Sequence, residues 1–132
     1  MRLDGKIAIV TASTRGIGLA CTQRLAREGA TVYMAARNME RAENRAKELN
    51  DEGCNVKTVY NDATEKETYT SMVEEVCKNE GRIDILVNNF GTSNPQKDLD
   101  IKNTEYDEFI RTVDINLASV FMTSQAVIPH MA

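Results

Sequence analysis

IAIVTASTRGIG, residues Ile7 to Gly18, decides how the rest of this sequence is read. Ile7 to Val10 is a short apolar run with the composition of a strand. Thr11, Ala12, Ser13 and Thr14 are small or polar, and Arg15, Gly16, Ile17 and Gly18 lead into a helix-period pattern. A strand, a turn of small residues and a helix start form the context in which closely spaced glycines can cradle a phosphate. The first N–H groups of a helix have no internal partner, and they sit at the positive end of its dipole. Gly16 and Gly18 would let backbone approach a pyrophosphate and the sheet. Glycine is also common in ordinary strand-to-helix turns, so the stretch needs support from the rest of the chain.

That support comes from a repeated alternation. Ile17, Ala20, Cys21 and Leu25 recur at helical spacing, with Arg24, Arg27 and Glu28 opposite and Gly29 as a stop. Thr31 to Ala36 reads as a second strand. A helix follows with Met39, Ala42, Ala46 and Leu49 on one face and a Glu43–Lys47 pair on the wet side. Asn55 to Tyr60 reads as a third strand, with Val56, Thr58 and Tyr60 alternating against Lys57 and Val59. Thr64-Glu65-Lys66-Glu67 has the form of a capping box opening a third helix, whose stripe is Tyr69, Met72, Val73, Val76 and Cys77 and whose end is Gly81. Ile83 to Val87 reads as a fourth strand. A polar loop from Thr92 to Asn103 precedes a long last helix with Val113, Leu117, Val120, Ser124 and Val127 on one face.

Strands alternating with helices imply parallel pairing with helices on both faces. Right-handed crossovers then give an α/β, Rossmann-type, doubly wound sheet, here partial, with about four strands in the order 3-2-1-4. Ligands of such sheets lie beyond the carboxyl ends of the strands. Those ends are Thr11–Arg15, Arg37–Asn38, Asp62–Ala63 and Asn88–Gly91, and all carry small or polar residues after an apolar run.

Arg37 lies 19 residues beyond Gly18, where an acidic residue would suit the ribose of NAD and an arginine the 2′-phosphate of NADP. Arg15 adds a second guanidinium to the same neighbourhood. The alternative is a pair of solvated surface arginines. Asp62 can accept from an adenine amino group, with Ala63 against the ring, or serve as a turn aspartate. Asn88 and Asn89 can tie the fourth strand to its neighbours, contact a ribose, or form a plain turn. Asn116 falls on the apolar face of the last helix, where an amide needs a partner; a half-exposed place at the edge of the stripe is the other reading.

Composition narrows the partners. The 132 residues carry 16 Lys+Arg against 20 Asp+Glu, a formal net charge of -4. That balance argues against a nucleic-acid binder. No apolar run is long enough to span a bilayer, and the first residues lack a signal-peptide core, so a cytoplasmic protein is expected. Cys21, Cys54 and Cys77 are widely spaced and suggest neither a metal site nor a disulfide frame. His130, the only histidine, has no neighbours that would make a triad.

These motifs resemble the N-terminal half of a short-chain dehydrogenase/reductase. The family's TGxxxGIG motif stands here as Thr11 to Gly18, with Ala12 for the first glycine, and its NNAG motif as Asn88-Asn89-Phe90-Gly91, with Phe for Ala. The resemblance implies that Ser13, Thr14, Arg15, Gly16, Ile17, Gly18, Arg37, Asn38, Asp62, Ala63, Asn89 and Gly91 bind cofactor, and that Asn116 matches the family's catalytic asparagine. STRGIG, YMAARN, EGRIDILVNNFG and VIPHM look most like the bacterial, especially clostridial, 7α-hydroxysteroid dehydrogenases of that family. This implies NADP(H)-linked oxidation of a steroid or other secondary alcohol, with the 7α-hydroxyl of bile acids as the expected substrate, and a homotetramer formed partly through the last helix.

The family's serine and Tyr-x-x-x-Lys pair have no match here. Four residues after Tyr33, Tyr60, Tyr69 and Tyr106 stand Arg37, Thr64, Val73 and Ile110. The expectation is therefore the NADP-binding part of a single domain, residues 1–132, without the catalytic C-terminal part, inactive alone and marginally stable because strand four is an apolar edge. The alternative is a nucleotide-binding module or partner subunit without catalysis.

Overall fold

A computed structural model of the chain describes residues 1–91, 96–97 and 99–131. Four parallel strands, β1 (Ile7–Thr11), β2 (Thr31–Ala36), β3 (Asn55–Tyr60) and β4 (Ile85–Val87), form one sheet in the order β3-β2-β1-β4. Ile9 lies opposite Tyr33 on one side and Leu86 on the other. The helices are α1 (Gly16–Arg27), α2 (Met39–Asp51), α3 (Glu67–Glu80), α4 (Tyr106–Val113) and α5 (Ser119–Val127). A π-helical turn, Asp114–Ala118, joins α4 to α5. The partial doubly wound sheet expected from the alternation is the fold observed. None of the described helices is long and apolar enough to cross a membrane.

Strand alternation divides the core into two layers. Ile7, Ile9, Tyr33, Ala35 and Val59 pack on one face with Met72, Val73 and Val76 of α3 and Val127 of α5. Ala8, Val10, Val32, Met34 and Val56 pack on the other with Ala26 of α1 and with Ala46 and Leu49 of α2. β3 is thus covered on both faces, and Val59 is buried while Lys57, which shares its face, is exposed.

Other local expectations are corrected. The buried seam of α1 is Gly18, Thr22 and Ala26, while Ile17 is 75% exposed. On α5 the seam is Ser119, Thr123 and Val127, and Leu117 faces solvent. Glu43 and Lys47 form no ion pair; α2 pairs Arg45 with Glu48 instead. No capping box forms at Thr64, because the N-cap of α3 is Lys66 and the Thr64 hydroxyl donates to Asp62. Ile83 is a buried residue ahead of β4 and is not part of the strand. Much of the loop from Thr92 to Asn103 lies outside the described residues.

Two tethers fix the site's floor. At the entry to β4, the Asp84 carboxylate accepts from the Ile7 amide at 2.9 Å and pairs with Arg82. At the exit, the Asn89 amide donates to the Thr11 hydroxyl at 2.9 Å, and Asn89 Nδ2 donates to the Ala12 carbonyl at 3.1 Å. The helix start at Gly18 lies against that exit. A Cβ on Gly18 would fall 2.4 Å from the Ala12 oxygen and 2.6 Å from Asn89 Nδ2.

Gly18→Ala is therefore expected to cost about 2–3 kcal/mol by overpacking. Gly16→Ala meets open space at φ +59° and is expected to cost only its backbone strain, about 1 kcal/mol. Urea melts of both variants check the order. The Asp84 carboxyl is held below the usual carboxylate range, first by the Arg82 guanidinium and then by the Ile7 amide, against the opposing effect of burial. A depressed folded pKa stabilises above the unfolded value near 4 and is lost as pH falls through the lower one. Asp84→Asn is expected to cost about 1 kcal/mol at neutral pH and to flatten the acid limb of a stability–pH profile.

Candidate functional site

The carboxyl ends of the strands open into one cleft of about 290 Å³. It is lined from the β1 end by Ala12, Thr14 and Arg15, from the β2 end by Arg37 and Asn38, from the β3 end by Asp62 and Ala63, and from the β4 end by Phe90 and Gly91. All four strand ends singled out in the sequence therefore meet at one place. Parallel pairing forces this, since it directs every carboxyl end to the same edge.

The β1–α1 turn presents backbone. Ala12 has φ +49°, a left-handed conformation that costs a Cβ-bearing residue about 1–2 kcal/mol. Arg15 is the N-cap of α1 in an extended conformation, and no side chain caps the helix. No acid stands in its first turn. The leading N–H groups of α1 thus remain for an anion. The Ser13 hydroxyl is buried and donates to the Ala35 carbonyl at 3.4 Å, so only its backbone is available to a ligand. Gly18 and Asn89 form the packed base of the turn and do not line the cleft.

The remaining strand ends differ in how their polar groups are used. Asn38 caps α2, its Oδ1 accepting from the Arg41 amide at 3.0 Å. Arg41 also lines the cleft. Sequence reading passed over it, although its place four residues after Arg37 was the available signal. Asp62 Oδ1 accepts from the Thr64 amide and hydroxyl at 2.9 and 2.8 Å, so its turn role is real and coexists with its place on the wall. Beneath that loop the Thr68 hydroxyl accepts from Asn61 Nδ2 at 3.1 Å and from the Asp62 amide at 3.0 Å, and donates to the Glu65 carbonyl at 2.7 Å.

Phe90 packs edge-on against the buried Tyr69 ring, with centroids 5.9 Å apart, and with Ile115 it gives the cleft an apolar wall. Asn116 stands on the π turn and is half-buried. Its Nδ2 donates to the Thr112 carbonyl at 2.9 Å, and its Oδ1 lies 3.5 Å from where a Cβ on Gly91 would sit. The turn therefore brings this amide beside the β4 end of the cleft.

Tyrosine chemistry here runs away from general base work. Burial pushes the Tyr33 and Tyr69 phenols up, and the Glu65 carboxylate bonded to Tyr60 pushes that phenol up to about 12.

Ala12→Gly is expected to relieve the strained turn. After the extra flexibility of glycine in the unfolded chain is subtracted, about 0.5 kcal/mol of stabilisation should remain. Ala12→Val should destabilise, and denaturant midpoints of both variants check this.

Comparison with known proteins agrees with this geometry. Residues 6–132 match the short chain dehydrogenase family. The chain is 52% identical over 130 residues to a 7α-hydroxysteroid dehydrogenase of Clostridium sardiniense, covering 98% of this chain and 50% of that protein. It is 45% identical to the 7α-hydroxysteroid dehydrogenase of Paraclostridium sordellii, covering 98% of this chain and 49% of that one. A metagenomic short-chain oxidoreductase solved in complex with NADP superposes with a TM-score of 0.91 at 27% identity, over 99% of this chain and 58% of its own. The chain thus spans about half the length of the curated relatives it matches. On the sequence match and the shared fold together, the chain belongs to the short-chain dehydrogenase family.

Proposed function

We propose that these 132 residues are the NADP(H)-binding part of a single-domain oxidoreductase that interconverts a secondary alcohol and its ketone, with the 7α-hydroxyl of a bile acid as substrate. The observation that carries the reading is the cleft, where Arg15 and Arg37 stand with an uncapped helix N-terminus. That donor set fits a dinucleotide bearing a 2′-phosphate. The substrate follows from the names of the relatives.

In this reading the first turn of α1 and Thr14 hold the pyrophosphate, and Gly16, Ile17 and Gly18 keep backbone close to it. Arg15 and Arg37 take the 2′-phosphate, while Asn38 holds the turn between them and α2. Asp62 and Ala63 border the adenine and Gly91 borders its ribose, while Asn89 serves the cofactor by holding that strand end from beneath. The bound nicotinamide supplies the hydride chemistry. Asn116 takes the place of the family's catalytic asparagine beside Gly91. Tyr33, Tyr60 and Tyr69, with raised phenol pKa values, do not move the substrate proton. The 132 residues alone are inactive in this reading. The whole protein is cytoplasmic in this reading and a homotetramer, the latter supported by Tyr106, Phe109, Leu117 and Phe121 lying exposed along α4, the π turn and α5.

Titration with NADPH and NADH, followed by nicotinamide fluorescence, tests the cofactor. NADPH is expected to bind about tenfold tighter or better, and Arg37→Asp to remove or reverse that preference. Equal binding of both cofactors would sink the assignment. In the whole protein, oxidation of a 7α-hydroxylated bile acid but not its 7β epimer is the expected substrate result.

A further inference from the structure

Arginines in this chain divide sharply by whether a carboxylate answers them. Arg24, Arg27, Arg45, Arg82 and Arg111 pair with Glu28, Glu52, Glu48, Asp84 and Glu108. Among the described residues Arg2, Arg15, Arg37 and Arg41 form no ion pair, and the last three line the same cleft. Among the described residues the only carboxylate on that wall, Asp62, has one oxygen engaged by Thr64.

Arg41 is the informative member. On a helix, side chains three and four apart are neighbours. Within α2 those positions hold Asn44 and Arg45, and ahead of it stand the N-cap Asn38 and then Arg37, with no acid among them. Arg45 escapes this by pairing with Glu48. Arg41 instead has a like charge one turn on, at Arg45, and shares the cleft with Arg37, so no side chain at these positions neutralises it. Its backbone is fixed at the rim by the Asn38 cap. A cleft with three uncompensated guanidiniums and one partly engaged carboxylate suits a dianion.

We infer that Arg41 is a specificity-determining residue, a third guanidinium that reads the 2′-phosphate together with Arg15 and Arg37. The inference rests on the NADP reading of the cleft proposed above. It assigns Arg41 to phosphate selection alone, with no contact to the reacting atoms.

The test is calorimetric titration of the intact protein that carries this chain, using adenosine 2′,5′-bisphosphate and 5′-AMP as probes. Both lack nicotinamide, so they report only the adenosine end. Arg41→Gln is expected to weaken the bisphosphate about tenfold and AMP less than twofold, with Arg41→Lys between wild type and Gln. Arg2→Gln, which removes an unpaired arginine away from the cleft, should change neither. Equal loss for both probes, no loss for either, or the same loss in Arg2→Gln overturns the inference. Arg37→Gln separates the two levels. If it abolishes discrimination while Arg41→Gln does not, only the role of Arg41 fails; if neither does, the NADP reading fails with it.

Discussion

The absence of a side chain at Gly18 is the constraint on which the rest of this structure depends. Helix α1 starts so close to the β1–α1 turn that the Ala12 carbonyl and Asn89 Nδ2 occupy the space a Cβ would need. The same carbonyl accepts from Asn89, and the Asn89 amide donates to Thr11. The end of β1 and the exit of β4, far apart in sequence, are thereby tied by hydrogen bonds, and the start of α1 packs against that tie because Gly18 carries no side chain. The helix N-terminus is held over the sheet edge, with its free N–H groups beside the cleft. A larger residue at position 18 would separate all three segments at once.

Charge then determines what that edge can hold. Elsewhere in the chain most guanidiniums are matched to carboxylates, and such surface pairs are individually weak. At the cleft the matching stops. Arg15, Arg37 and Arg41 face shared space, while Asn38 and Asp62 direct side-chain oxygens into their own turns. Polar groups that might have neutralised the site are thus committed to loop structure. The positive character left behind is local, in a chain whose net charge is -4.

Much of this was legible in the sequence because it was periodic or chemically singular. The faces of α2 and α3 are apolar at helical spacing, and Ala42, Ala46, Leu49, Tyr69, Met72, Val73 and Val76 are buried as expected, with Met39 and Cys77 half-buried and Thr68 added to the α3 seam. The faces of α1 and α5 were misread for a common reason. Their seams are Gly18–Thr22–Ala26 and Ser119–Thr123–Val127; apart from Val127, which was expected, these are small or hydroxylated residues that hydrophobic periodicity registers poorly. Thr22 and Thr123 donate to carbonyls one turn back in their own helices, at 3.0 and 2.7 Å, so their burial leaves no polar group unsatisfied. Small seams also let α1 sit close to the sheet and α5 close to α3. Large apolar residues such as Ile17, Leu117 and Phe121 are left on the outside.

By itself the sequence determined the alternation of strands and helices, hence parallel pairing, the strand order and the edge at which polar strand ends must gather. Those follow from local periodicity and from the handedness of crossovers, neither of which needs contact information. Only the tertiary structure decided how individual polar groups are used. Ser13 turns to Ala35, Asp62 to Thr64 and Asn89 to Ala12, while Arg41 comes to the cleft beside Arg37. Asn116 reaches Gly91 because a π turn in the last helix resets which residues face the sheet. A hydrogen bond depends on ångström-scale distance between groups remote in sequence, and that distance is set by packing, not by spacing along the chain.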